Sequence, residues 1–136
     1  MSNRNGFPVD IPFVAHLGFE LRECADGRAL VVFATQAEHQ NSWGVVHGGV
    51  VMTLLDVAMA SAGRSLRNDI GHGGNVTIEM KTSFLRPARG VLQAKGVCLH
   101  TTSTMSFCEA EVFGDDGELA AKASGTFKYL RSRETK

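Results

Sequence analysis

The sequence predicts an α+β domain in which a strongly curved antiparallel sheet wraps one long buried helix. Val50 to Ala62 is an almost unbroken apolar run whose only polar residues are Thr53, Asp56 and Ser61. It holds no proline or glycine and is rich in Met, Leu and Ala, so it reads as a helix from about Gly48 to Ser65. A helix apolar on every side is enclosed rather than laid on a surface. Two strand-like runs precede it and four follow, an order most simply packed with the helix on one face of a single sheet. One sheet cannot cover such a helix completely, and the remainder implies a two-fold dimer.

In chain order, residues 1–9 read as a loose lead-in. Ile11, Phe13, Val14 and Leu17 suit a short amphipathic helix, with Asp10 as N-cap and Pro12 in its first turn. Phe19–Cys24 and Ala29–Ala34 flank Asp26-Gly27, a strong hairpin signal. Thr35–Gln40 is polar and leads into the glycine-rich stretch before the helix. Arg64–Asn75 is a polar, glycine-rich loop with no dinucleotide or phosphate-loop spacing. Val76, Ile78, Met80, Thr82 and Phe84 then alternate with Thr77, Glu79, Lys81 and Ser83, the mark of a half-buried strand ended by Pro87. Val91–Leu99 and Thr104–Phe113 are further strands, and Gly114–Gly117 is the tightest turn signal. In the last strand Leu119, Ala121, Ala123, Gly125, Phe127 and Tyr129 share one face. No repeat or linker divides the 136 residues, so residues 1–136 are one domain with a core of about 17–130.

Fourteen basic and fourteen acidic side chains balance, which argues against nucleic acid or an anionic membrane as partner. Cys24, Cys98 and Cys108 are odd in number and lack metal-ligand spacing, so they read as reduced, cytosolic residues and no metal site is expected. The N-terminus carries no apolar leader and no run is long enough for a membrane span. A soluble, cytoplasmic protein is expected.

The helix poses one chemical question. Burying an ionised carboxylate without partners costs several kcal/mol, so Asp56 needs a reason to be there. Structural hydrogen bonding is one. The surroundings offer another: Thr53 and Ala60 form a small, polar stripe with Asp56. Gly48 and Gly49 leave backbone N–H groups bare at the helix start, where the dipole favours negative charge. An anion-binding helix start with a carboxylate about two turns further on suits hydrolysis of an ester or thioester.

Asn41-x-x-Gly44-x-x-His47-Gly48-Gly49, followed by Leu54-Leu55-Asp56, resembles the hotdog-fold acyl-CoA thioesterases. The branch it is most similar to is the phenylacetic-acid-degradation type, within the 4-hydroxybenzoyl-CoA thioesterase superfamily, whose acidic residue is an aspartate on the central helix. The resemblance covers roughly Leu17–Leu130, including Thr77–Arg89 after the helix. It implies a hotdog fold and hydrolysis of an acyl-CoA, aromatic or of short or medium chain, to free acid and coenzyme A, with no cofactor beyond the substrate's own coenzyme A. It implies Asp56 as general base or nucleophile and the Gly48 N–H polarising the carbonyl. Asn41 and His47 hold the loop and thioester, and Thr77 orients water. Gly49 and the segment Phe84, Leu85, Arg86, Pro87, Ala88 and Arg89 line the coenzyme A tail, with both arginines near phosphates. Thr102, Ser103 and Thr104 fall where a second coenzyme A loop lies, although His100–Met105 (HTTSTM) lacks that loop's usual basic and glycine residues. Each site is shared across a homodimer that pairs again into a homotetramer.

Plainer roles stand beside these. His47 serves equally as a loop histidine bonded to backbone, Asn41 as a turn residue, Thr77 as packing, and Arg86 and Arg89 as a solvated strand end. Two other functions compete: a hotdog dehydratase or hydratase, which pairs histidine with an acid in another motif context, and a non-catalytic acyl-CoA-binding regulator, which usually carries an added DNA-binding helical segment.

Overall fold

A computed structural model describes residues 4–67 and 74–131. The element order is α1 (Pro12–Leu17), β1 (Glu20–Ala25), β2 (Arg28–Ala34), a 3-10 turn (Ala37–His39), α2 (Gly48–Arg64), β3 (Asn75–Phe84), β4 (Val91–Thr101), β5 (Met105–Phe113) and β6 (Leu119–Tyr129). The strands form one antiparallel sheet in the order β1-β2-β4-β5-β6-β3. The strand that follows the helix therefore travels to the far edge, pairing only with β6 among the described residues.

The helix lies across the sheet as expected. Leu54, Leu55, Ala58, Met59 and Ala62 are fully buried against Phe33, Leu92, Val112 and Phe127. Each large apolar side chain so enclosed contributes about 1.5–3 kcal/mol. The helix sits unusually close to β4, because a side chain at Gly96 would meet the Ala58 carbonyl oxygen at 2.3 Å. The opposite stripe, running through Met52, Thr53, Asp56, Val57 and Ala60, stays partly uncovered.

The β1–β2 hairpin turns on Asp26 (φ 54°) and Gly27 (φ 80°), the pair of left-handed residues that a tight hairpin requires. Three expectations need correction. Residues 4–9 are not a loose lead-in: Phe7 is 5% exposed, and the Asn5 carbonyl accepts from the Leu21 N–H of β1 at 2.9 Å. A side chain at Gly6 would collide with the Leu21 carbonyl, so the segment lies flat on the sheet edge. Asp10 does not cap α1; Ile11 occupies that position with no side-chain bond, while Asp10 faces Arg4 at 3.7 Å.

The third correction concerns β3. Its alternation is broken by a bulge between Thr77 and Glu79, where Ile78 is the extra residue. Thr77 pairs with Phe127 and Met80 with Gly125, so Asn75, Thr77, Met80 and Thr82 share the helix-facing side. Val76 and Ile78, expected in the core, are exposed. Part of the expected Arg64–Asn75 loop, residues 68–73, lies outside the described residues.

Candidate active site

The loop before α2 is held by its own polar residues. Asn41 Oδ1 accepts from the N–H groups of Trp43 (2.9 Å) and Val45 (3.3 Å), and the Asn41 N–H donates to the Val45 carbonyl. This wraps the chain around Gly44, whose φ of 76° a β-carbon would strain. Asn41 also lines a cavity of about 410 Å³, together with Gly48, Phe84, Leu85, Arg86, Pro87 and Ala88. Trp43 at the loop tip is 84% exposed.

His47 is the N-cap of α2, and its Nδ1 accepts from the Gly49 N–H at 2.8 Å. An uncharged imidazole accepting there carries its proton on Nε2, which remains a donor. The expectation of two bare amides is thus corrected: Gly49 is taken by His47, whereas no acceptor among the described residues takes the Gly48 N–H. Adding a β-carbon to Gly48 would press on the Phe84 ring at 3.4 Å, so this end of the helix and the start of the Phe84–Arg89 segment touch.

One residue the sequence reading passed over fixes this loop. His39, inside the polar stretch Thr35–Gln40, is buried with its ring 4.8 Å from Phe33. Its Nδ1 accepts from the Gln36 N–H, and its carbonyl accepts from the His47 N–H at 2.8 Å. A single histidine in a polar run carries no periodic signal, so only the fold reveals the role. The Val46 N–H donates to the Ala88 carbonyl at 3.0 Å, joining the loop to the Phe84–Arg89 segment.

Asp56 lies two turns along α2. Thr77 Oγ1 donates to its Oδ1 at 2.5 Å, and among the described residues no donor takes Oδ2. Burial pushes the Asp56 carboxyl above the usual carboxylate range, and the Thr77 hydrogen bond partly opposes that. The carboxylate opens on one side to a cavity of about 440 Å³ beneath the N-terminal segment. On the other it opens to an apolar groove of about 560 Å³ that includes Phe13, Gly49, Met52, Thr53 and Met80. Thr53 does not join Asp56; its hydroxyl donates to the Gly49 carbonyl within the helix.

The structure therefore brings the expected site residues together in separate groups. Asn41, His47, Gly48 and Phe84–Arg89 gather at the start of α2, with Arg86 and Arg89 both exposed and Arg86 on the cavity wall. Asp56 and Thr77 form a second group. Eight residues of helix put Asp56 about 12 Å from Gly48, too far for both to act on one carbonyl in one chain. Thr102, Ser103 and Thr104 form the β4–β5 turn at the other end of α2, where Ser103 accepts from Arg67 and Thr104 from the Tyr129 N–H. Tyr129 Oη in turn donates to the Gly63 carbonyl near the helix C-terminus.

Comparison with known proteins agrees with this architecture. Residues 43–121 match the family described as the thioesterase superfamily. A protein of Saccharolobus solfataricus named “Putative esterase SSO2140” is 33% identical over 108 residues, 79% of this chain and 75% of that protein. A conserved protein of Pseudomonas aeruginosa superposes with a TM-score of 0.79 at 33% identity, covering 89% of this chain and 95% of that one. A mutant of the phenylacetic acid degradation protein PaaI from Thermus thermophilus gives 0.78 at 27% identity, covering 88% and 100%. The curved sheet around α2 is the hotdog fold, and the chain belongs to the thioesterase superfamily.

Proposed function

We propose that this protein is an acyl-CoA thioesterase whose site is completed by a second copy of the chain. The observation that carries this reading is the split geometry: a carboxylate held by Thr77 in one place and, about 12 Å away, a Gly48 N–H that no described residue accepts. Pairing two β3 edges antiparallel about a two-fold axis sets the two α2 helices side by side in opposite directions. Gly48 of the partner subunit then approaches Asp56.

In such a site Thr77 fixes Oδ1 of Asp56, and Oδ2 is free to take a proton from water. The water oxygen bonds to the thioester carbon as the carbonyl electrons move onto oxygen, where the partner's Gly48 N–H and helix dipole meet the charge. Collapse of that intermediate breaks the C–S bond and releases coenzyme A as thiolate, which takes up the proton. Direct attack by Asp56 to give an anhydride, then cleaved by water, uses the same groups. Phe84–Arg89 accommodate the coenzyme A tail, with the exposed Arg86 and Arg89 available to phosphate. The dehydratase alternative is less well served, because the Nδ1 of His47 is occupied by the Gly49 N–H and its Nε2 is left as a donor, so neither nitrogen serves as a base.

Release of free thiol from a panel of acyl-CoAs, with Asp56→Asn as control, tests the reading. Turnover that vanishes in the variant is expected. No thiol release by the wild-type protein from any acyl-CoA overturns it.

A further inference from the structure

The cavity beneath the N-terminal segment is unclaimed by the chemistry above. One wall is Phe7, Val9, Ile11 and Val14; the other is the face of α2 that continues from Asp56 through Val57 and Ala60 to Arg64. The N-terminal wall is pinned by the Asn5–Leu21 backbone bond, by Arg4 donating to the Pro8 carbonyl at 2.8 Å, and by the buried Phe7. The near end of the cavity holds the Asp56–Thr77 pair. At the far end the Arg64 guanidinium packs where a Gly74 side chain would stand. Between them lie Ser61 and Asn75, and Asn75 spends its amide on the Ala60 carbonyl at 3.1 Å.

Resting on the thioesterase reading, we infer that this cavity is the acyl site and that it selects a straight, apolar, medium-length acyl chain. The length follows from the helix. Asp56 to Arg64 is eight residues, or about 12 Å of axial rise. A zigzag chain of 1.5 Å carbon–carbon bonds advances about 1.3 Å per carbon, so about eight to ten carbons span the cavity. An aryl group one ring long leaves the half nearest Arg64 empty. A much longer chain must displace the Arg64 guanidinium. Ala60 is the gate of the distal half: it lies one helical turn beyond Asp56, facing the N-terminal wall, and its single methyl leaves the passage open.

The test is a series of straight-chain acyl-CoAs from acetyl to hexadecanoyl, with phenylacetyl-CoA alongside, on the full-length wild-type protein and on Ala60→Phe. Wild-type kcat/KM should rise about three- to fourfold per added carbon, the worth of a buried methylene, and stop rising at about eight to ten carbons. Phenylacetyl-CoA should fall well below the maximum. Ala60→Phe should lower kcat/KM for decanoyl-CoA at least about tenfold more than for butanoyl-CoA, the scale of several lost methylenes. A profile that peaks at acetyl or phenylacetyl, or a decanoyl-to-butanoyl ratio untouched by Ala60→Phe, overturns the acyl site while leaving hydrolysis intact. The wild-type series decides alone if the variant does not fold. If no acyl-CoA is hydrolysed, the thioesterase reading fails instead. Calorimetric binding of a decyl-CoA thioether against a butyl-CoA thioether then decides the cavity, with preference for decyl expected and equal affinity overturning it.

Discussion

Thr77 donates its hydroxyl proton to Oδ1 of Asp56 across the space between β3 and α2, and it does so only because Ile78 is an extra residue in its strand. Without that bulge, a strand that keeps Met80 and Thr82 toward the helix would turn Thr77 away. The pair holds the only carboxylate of α2 in one orientation within apolar surroundings.

Replacing that carboxylate tests the chemistry first. Asp56→Asn keeps size and hydrogen bonding but loses basicity. The kcat for acyl-CoA hydrolysis should fall about 10²–10⁴-fold, with substrate still bound and the oligomer unchanged. Burial raises the Asp56 pKa, so the fold favours its protonated form, and that contribution is lost as pH rises through the raised value. Asp56→Asn should therefore be more stable than wild type at neutral pH, with the gap closing below the ordinary aspartate range. Wild-type turnover in the variant would make Asp56 structural.

Thr77 tunes the same group. The hydrogen bond lowers a pKa that burial raises, so Thr77→Val should move the acid limb of the kcat/KM profile to higher pH. Thr77→Ser should restore it. Identical profiles for all three proteins would leave Thr77 a packing residue.

The two exposed arginines separate binding from chemistry. Arg86→Ala with Arg89→Ala should raise KM for acyl-CoA and leave kcat nearly intact, as loss of uniform binding does. The rise should shrink as salt increases, because exposed charges are screened. An unchanged KM returns both to the solvated edge.

Assembly is tested at the edge strand. Ile78 is 57% exposed, so Ile78→Asp should cost an isolated chain little. In a dimer built on β3 it sets like charges on two neighbouring strands. Sedimentation should show wild-type dimers or tetramers at micromolar concentration and an inactive, folded Ile78→Asp monomer. A fully active wild-type monomer removes the shared site.

Much of this was legible in the residues and some was not. The helix was readable because an apolar run free of proline and glycine has few other ways to fold. The Asp26-Gly27 hairpin was readable because its turn demands those residue types. The β3 faces were misassigned because a bulge leaves no trace in an alternating pattern; Ile78 looks like any other strand residue. Phe7 was missed since one aromatic in a polar segment has no period, although Gly6 at φ 90° beside it marks a tight approach. Among the site residues, Asp56 stood out through the cost of its burial. The division of labour between Gly48 and Gly49 could not be foreseen, because it depends on which way the His47 ring points.

The missing side chain at Gly96 has a mechanical meaning. With the Ala58 carbonyl 2.3 Å from where that β-carbon would be, and the Met59 methyl 3.1 Å from the equivalent point at Gly125, α2 rests in two notches of the sheet. A helix seated this way cannot slide along its axis without riding over a strand backbone. The axial setting of Asp56 opposite Thr77 is thereby indexed from the far face of the helix. An alanine at Gly96 would act as a shim, lifting the whole helix and opening the Asp56–Thr77 contact from behind.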